Sequence, residues 1–343
     1  MLSRIRKVYH EFPKQYWILV GAIFIDVIGG TLIWPFFGLY FTEKFNIGMA
    51  EAGILLGEFS LFGMLSGMIG GALADKFGRK RIMVFGLIIS AFSMITLGLV
   101  NNLAVMYPLC AVVGLLANIG HPASNAMVAD LLPEEKRQEG FGIMRVAFNL
   151  SWIIGPTIGG LLASTSYLAL FIIDAVISTI TALIVIRFIR ESKPAAAADA
   201  PRESVLQTFK GYGSVIRNWP FVAYLLVSIL MLLAYQQIYS TLAVYLRDTH
   251  GIAPQGYALL IAVNSGLVVL TQLWITRKMK RVPPMISMAL GALLYGIGFF
   301  MFGLFSVYAI FMTAMIIITV GEMINVPTSQ SLVAEFAPED KRG

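Results

Sequence analysis

The chain has 343 residues, of which 58% are hydrophobic and 13% charged. Soluble domains run about 45–50% apolar and about 25% charged, so this excess is too large for one soluble core and fits a protein whose solvent is mostly lipid. The net charge of +6 does not point to nucleic acid, because the basic residues sit in short blocks between apolar runs, and the single cysteine, Cys110, excludes a disulfide framework or a Cys-based metal site.

A membrane-spanning helix needs about 20 apolar residues. Runs of that kind occur at 17–41, 52–74, 82–100, 104–132, 141–164, 167–189, 220–246, 257–276, 285–305 and 307–333. The first follows a basic start with Arg4, Arg6, Lys7 and Lys14. No small-residue cleavage site follows it and more runs do, so it reads as a helix and not a signal peptide. Threading the runs back and forth puts 22 of the 25 Lys and Arg on one side of the membrane. Only Lys44 and Arg247 fall on the other side, and Arg145 lies inside a run. Loops rich in Lys and Arg stay in the cytoplasm, which predicts a multi-pass protein of the cell membrane with a cytoplasmic N-terminus. The opposite links, such as 101–102 and 164–166, are nearly uncharged and very short, so neighbouring helices form antiparallel hairpins.

One connection is long. Its first half, from 190, is rich in Ala and Pro and reads as a linker. Its second half places Val205, Leu206, Phe209, Tyr212, Val215 and Ile216 at helical spacing. That half is either a helix lying on the membrane face or more solvated linker. The expected organisation is a six-helix bundle over 1–189, a cytoplasmic linker over 190–218, and a second bundle over 219–343.

The second bundle repeats the first. HPASNAMVADLLPEEKR (121–137) aligns with VPTSQSLVAEFAPEDKR (326–342) at an offset of 205, and 8 of the 16 positions from Pro122 to Arg137 are identical. The basic stretch at 277–281 falls near the second copy of the basic stretch at 75–81. Parallel repeats in one polytopic chain are a signature of secondary transporters. The first copy has six runs and the second four, so the chain reads as a C-terminally truncated 6+6 all-α membrane protein that is not expected to transport by itself.

The stretch Gly71-Ala-Leu-Ala-Asp75-Lys-Phe-Gly78-Arg79-Lys80-Arg81 resembles the signature loop between helices 2 and 3 of the major facilitator superfamily, with every fixed position met. The stretch Asn149-Leu-Ser151-Trp-Ile-Ile-Gly155-Pro156-Thr-Ile-Gly159-Gly160 is similar to the antiporter signature of that superfamily, with Ser151 where a Gly is usual. The resemblance implies a gate in which Asp75 packs against helix 11 and Arg79 pairs with Asp130. Arg145 stands close enough in the chain's topology to join that cluster. It also implies that helices 1, 4, 7 and 10 line a central cavity. Independently of the family, Gly71 and Gly78 permit close approach and a tight turn, and Gly155, Gly159 and Gly160 permit tight helix packing beside Pro156, which lacks a donor.

A charged group in mid-membrane costs at least about 2.5–3.5 kcal/mol, so such residues are functional candidates. Asp26 lies about ten residues into the first run, His121 near the middle of the fourth, and Glu322 near the middle of the tenth. Those runs are three of the four cavity helices the resemblance implies. Asp26 is the expected proton site and Glu322 the expected partner for a cationic or polar substrate. His121 is either a third site residue or a capping histidine before Pro122. Glu58 reads as water-facing, and Asp174 lies on the sixth run, a scaffold helix in the resemblance. No Lys or Arg lies inside the cavity runs, which argues against an anionic substrate. No metal cluster, G-x-S-x-G or phosphate loop suggests an enzyme.

The expected function is proton-coupled efflux of drug-like hydrophobic or cationic solutes by alternating access. Its partners are a small-molecule substrate, protons and the bilayer, with no nucleic acid. The chain is expected to be a monomer powered by the proton gradient, without a cofactor. The alternatives are an uptake symporter for a neutral metabolite such as a sugar, and a non-transporting receptor or scaffold.

Overall fold

The computed structural model describes residues 9–192, 219–279 and 281–336. The proposed interfacial helix of the linker, the basic residues Arg4, Arg6, Lys7 and Lys280, and the closing residues of the repeat lie outside them. No described residue is in a strand, and ten helices are long and apolar enough to cross a membrane. They are α1 (Lys14–Phe45), α2 (Met49–Phe77), α3 (Arg79–Leu99), α4 (Leu103–Leu131), α5 (Glu134–Ala163), α6 (Tyr167–Phe188), α7 (Trp219–Ser240), α8 (Pro254–Met279), α9 (Pro284–Leu304) and α10 (Tyr308–Phe336). Each apolar run of the sequence corresponds to one of them.

The ends differ from the apolar boundaries for local reasons. The charged stretch 75–81 is not a loop: α2 continues to Phe77, α3 starts at Arg79, and the whole turn is Gly78 at φ 101°, ψ 147°. Charge does not stop a helix, whereas a positive φ at glycine does. Likewise α5 begins at Glu134 instead of 141. Pro133 fixes the preceding backbone, and Glu134 and Glu135 suit the positive end of the helix. The seventh run ends early, at Ser240. Thr241 interrupts it, and a short helix Leu242–His250 follows, closed by Gly251 at φ 65°.

Two helices bend inside the run. In α1, Trp34–Phe36 tightens to a 3-10 turn at Pro35, which has no N–H to give. In α4, Asn118 and Gly120 break the helix, and it restarts at His121 with Pro122 in its first turn.

The described residues form two compact units. The first contains α1 to α6 together with residues 239–259. Here α1 lies against α5 and α6, α2 against α4, and α3 against α6. One end of this unit is filled by Tyr16, Leu19, Met83, Met127 and Val185. The Tyr16 hydroxyl donates to the Gly140 carbonyl at 2.8 Å, which secures α1 to α5. The second unit holds residues 219–238 and those from 260 onward. Its closest pair is α9 with α10.

The sequence repeat has a counterpart in packing. In the first unit, Gly86 of α3 meets Gly120 at the α4 break, where an added Cβ would stand 2.8 Å from the Gly120 nitrogen. At the same offset of 205, Gly291 of α9 meets Asn325 of α10. Asn325 replaces the helix-breaking glycine, and α10 runs on unbroken through Pro327. The two copies therefore keep one crossing and differ in whether the helix bends there.

Candidate functional site

Within the first unit, α1, α2, α3, α4, α5 and α6 enclose a cavity of about 580 Å³. Its polar lining includes Asp26, Asn118, His121, Ser124, Asp174 and Ser178, and its apolar wall includes Trp34, Phe37, Phe59, Phe148 and Trp152. The break in α4 borders this space, and Asn118, Gly120 and His121 all line it. The pocket volume lies within the range of about 300–1,000 Å³ usual for small-molecule sites.

Asp26 is half-buried and its carboxylate accepts a 3.1 Å hydrogen bond from Ser178 Oγ of α6. His121 is exposed to the cavity and lies within electrostatic reach of Asp26. The unexpected member is Asp174. Placed by sequence on a scaffold helix, it is only 3% exposed, lines the same cavity and is a close electrostatic neighbour of Asp26. Asp174 and Ser178 are one turn apart and share a face of α6. That face meets α1 at Gly29, where an added Cβ would stand 2.5 Å from Asp174 Oδ1. The signal available in the sequence was an acid inside an apolar run. The spacing of Asp26 to Gly29 on one helix and Asp174 to Ser178 on the other becomes informative only once the helices are paired.

Glu322 belongs to the second unit. Asn264 Nδ2 of α8 donates to its carboxylate at 2.9 Å and to Thr319 Oγ1 at 2.9 Å. Glu58 does not line the cavity, and its Oε2 is buried without a hydrogen-bond partner, contrary to the expected water-facing position.

The gate motif gathers at the turn between α2 and α3. Arg79 pairs with Asp130 near the end of α4 and donates to the Ala126 carbonyl at 3.0 Å. Ser192 Oγ also donates to Asp130, at 2.9 Å. Asp75 is 67% exposed and stands 3.8 Å from Arg79. Lys80 reaches the Ile186 carbonyl at 2.8 Å. Arg145 does not join this cluster: its side chain is exposed and makes no ion pair with a described residue. The sequence reading also missed Glu191, whose Oε1 accepts from the backbone N–H groups of Arg79 (2.7 Å) and Lys80 (3.2 Å) and so caps α3. Gly71 makes no close approach, since an added Cβ would meet only Pro122 at 3.8 Å. Gly70 does, against the backbone of Ile119.

The antiporter-like stretch is a contact surface. Gly155, Pro156, Gly159 and Gly160 are buried. Gly155 and Gly159 pack on Thr31 and Leu32 of α1, and Gly160 on Ala258 and Pro254 at the start of α8. Ser151, in place of the usual glycine, donates to the Phe24 carbonyl at 3.1 Å, and Thr31 Oγ1 donates to the Ser151 carbonyl at 3.2 Å.

At the other end of the first unit, the two isolated basic residues are both engaged. Lys44 donates to the Gly98 carbonyl at 2.7 Å, and Arg247 pairs with Glu43 at 2.8 Å.

The sequence profile of the Major Facilitator Superfamily matches residues 19–343. The chain is 28% identical to a Na(+), Li(+), K(+)/H(+) antiporter of Planococcus maritimus, over 95% of this chain and 82% of that protein. It is 26% identical to the quinolone resistance protein NorA of Staphylococcus aureus (strain MSSA476), over 83% of this chain and 72% of NorA. Among solved structures, the nucleoside transporter NupG superposes with a TM-score of 0.83 at 13% identity, covering 96% of this chain and 85% of NupG. At that identity the likeness is one of fold.

Proposed function

For a chain that belongs to the Major Facilitator Superfamily, and is therefore a transport protein and not an enzyme, we propose proton-coupled efflux of lipophilic organic cations by alternating access. The observation that carries this reading is the cavity in which Asp26 faces an aromatic and apolar wall. A carboxylate left charged and alone in such a wall costs several kcal/mol, so it carries either a proton or the positive charge of a substrate. Entry of a cation then expels a proton, and return of the proton expels the cation. Aromatic rings favour an organic cation over a small hydrated one, because they attract positive charge while covering apolar surface.

In this reading the N-terminus is cytoplasmic, on the strength of the Lys and Arg distribution. The protein acts as a monomer in the cell membrane, and the proton gradient supplies the energy without a cofactor. Glu322 adds a polar contact for the substrate, and Arg79 with Asp130 forms a latch made in one gate state only. The antiporter of Planococcus maritimus motivates a second reading, exchange of alkali cations for protons.

The test is proton release from the full-length gene product, purified in detergent, on addition of tetraphenylphosphonium, sodium or lithium. Release with tetraphenylphosphonium that vanishes in Asp26→Asn is expected. Release with sodium or lithium alone would favour the second reading. Release with none of them would move the assignment to a carrier of neutral solutes.

A further inference from the structure

Building on the proton-coupled reading, we infer that Asp174 is a second cation-binding carboxyl of the cavity. The site then holds two positive charges at a time: two protons, one proton with one monovalent organic cation, or one divalent organic cation.

The first observation is a charge imbalance. Asp26 of α1 and Asp174 of α6 both line the cavity, and the ionisable group facing them from α4 is His121. The parts of α2, α3 and α5 that line it contribute neutral side chains such as Ser60, Ser90 and Trp152, and no Lys or Arg is in the lining. The protein does not itself bring a permanent countercharge to these two acids. Like charges held together away from water repel, so the countercharge has to enter from outside.

The second observation is the state of Asp174. It is 3% exposed, yet no described residue donates it a hydrogen bond. Asp26, its neighbour, receives one from Ser178. Buried polar groups that serve only the fold are satisfied as a rule, and acids within membrane-spanning helices that face a cavity mark substrate and ion pathways. Gly29 adds to this, because the missing side chain on α1 leaves the space that Asp174 Oδ1 occupies. An acid with a purpose-made gap, no donor and a cavity in front of it is placed to bind something that comes and goes.

The charge balance is explicit. On binding a monovalent cation, the O–H bond of one carboxyl breaks, its proton goes to water on the open side, and the other carboxyl keeps its proton. A divalent cation displaces both. Two matched probes separate these cases: hexyltrimethylammonium carries one quaternary nitrogen, and hexamethonium carries two on the same six-carbon chain.

The experiment counts protons released per cation bound, with a pH indicator and equilibrium binding on the full-length gene product. Infrared difference spectra follow the protonated-carboxyl band in parallel. Wild type is expected to release twice as many protons per hexamethonium as per hexyltrimethylammonium, with a doubled loss of the carboxyl band. Asp174→Asn is expected to make the two releases equal while hexyltrimethylammonium still binds, and Asp174→Glu to return the second proton. Equal release in wild type overturns the inference whether or not the variants fold, and so does an Asp174→Asn protein that keeps the twofold ratio. An absence of any release in wild type would instead sink the proton-coupled reading beneath it.

Discussion

Arg79, the first residue of α3, and Asp130, near the end of α4, form an ion pair in which each side chain is 14% exposed. The pair ties together two helix ends that are 51 residues apart in sequence. A pair so shielded should be worth more than an exposed one, which contributes about 0.2–1 kcal/mol. A double-mutant cycle on thermal unfolding with Arg79→Gln and Asp130→Asn is expected to give a coupling of about 1–3 kcal/mol. The parallel cycle with Asp75, 67% exposed and 3.8 Å away, should give less than about 1 kcal/mol. A larger coupling at Asp75 than at Asp130 would show that the pairing is reversed in solution.

Gly71 of the same motif and Gly70 just before it should behave oppositely. An added Cβ at Gly70 would press on Ile119, with its Cα at 3.1 Å and its carbonyl carbon at 3.0 Å, and backbone cannot move aside cheaply. Gly70→Ala is expected to cost about 1–3 kcal/mol through overpacking. At Gly71 the nearest atom would be 3.8 Å away, so Gly71→Ala is expected to be neutral or stabilising by up to about 1 kcal/mol, the usual gain of alanine over glycine in a helix. Melting temperatures of the two variants settle the order.

The single-residue turn at Gly78 makes a third case. Its φ of 101° suits glycine, and an added Cβ would also stand 2.6 Å from Glu191 Oε2. Gly78→Ala should therefore lose about 1–3 kcal/mol from backbone strain and displace the carboxylate that caps α3. Glu191→Ala removes the cap alone and is expected to cost about 0.5–2 kcal/mol. If Glu191→Ala proves as damaging as Gly78→Ala, the cap outweighs the strain.

Much of this architecture was legible in the sequence, because a bilayer imposes a length and a polarity that ten apolar runs display directly. The repeat was legible as well, in the match of 121–137 with 326–342, but its counterpart in packing, Gly86 on Gly120 and Gly291 on Asn325, needed the paired helices. The helix ends were not, since the seven-residue charged stretch contains one helix-breaking conformation, at Gly78, and hydropathy does not sense φ. Asp26 and His121 were legible as intramembrane polar groups. Asp174 was placed on the right helix but not in the cavity, because its meaning depends on which face of α6 meets Gly29 of α1. Glu191 was not legible, because it caps a helix whose first residue is 112 positions earlier.

The departure of α5 from the antiporter pattern gives the last prediction. Ser151 occupies the place of a usual glycine, so a family-based expectation is that Ser151→Gly is harmless. The packing says otherwise. Ser151 is fully buried, and its hydroxyl donates to the Phe24 carbonyl of α1 at 3.1 Å and to its own helix at the Ala147 carbonyl at 3.1 Å. Ser151→Ala should lose about 1 kcal/mol for the bond between helices. Ser151→Gly should lose about 1 kcal/mol more, because glycine is the poorer helix former. Melting curves for the two variants beside wild type test this order. A Ser151→Gly protein as stable as wild type would show that close approach of α1 and α5 compensates for the lost hydrogen bond, and that this chain keeps the glycine-based contact of the pattern it departs from.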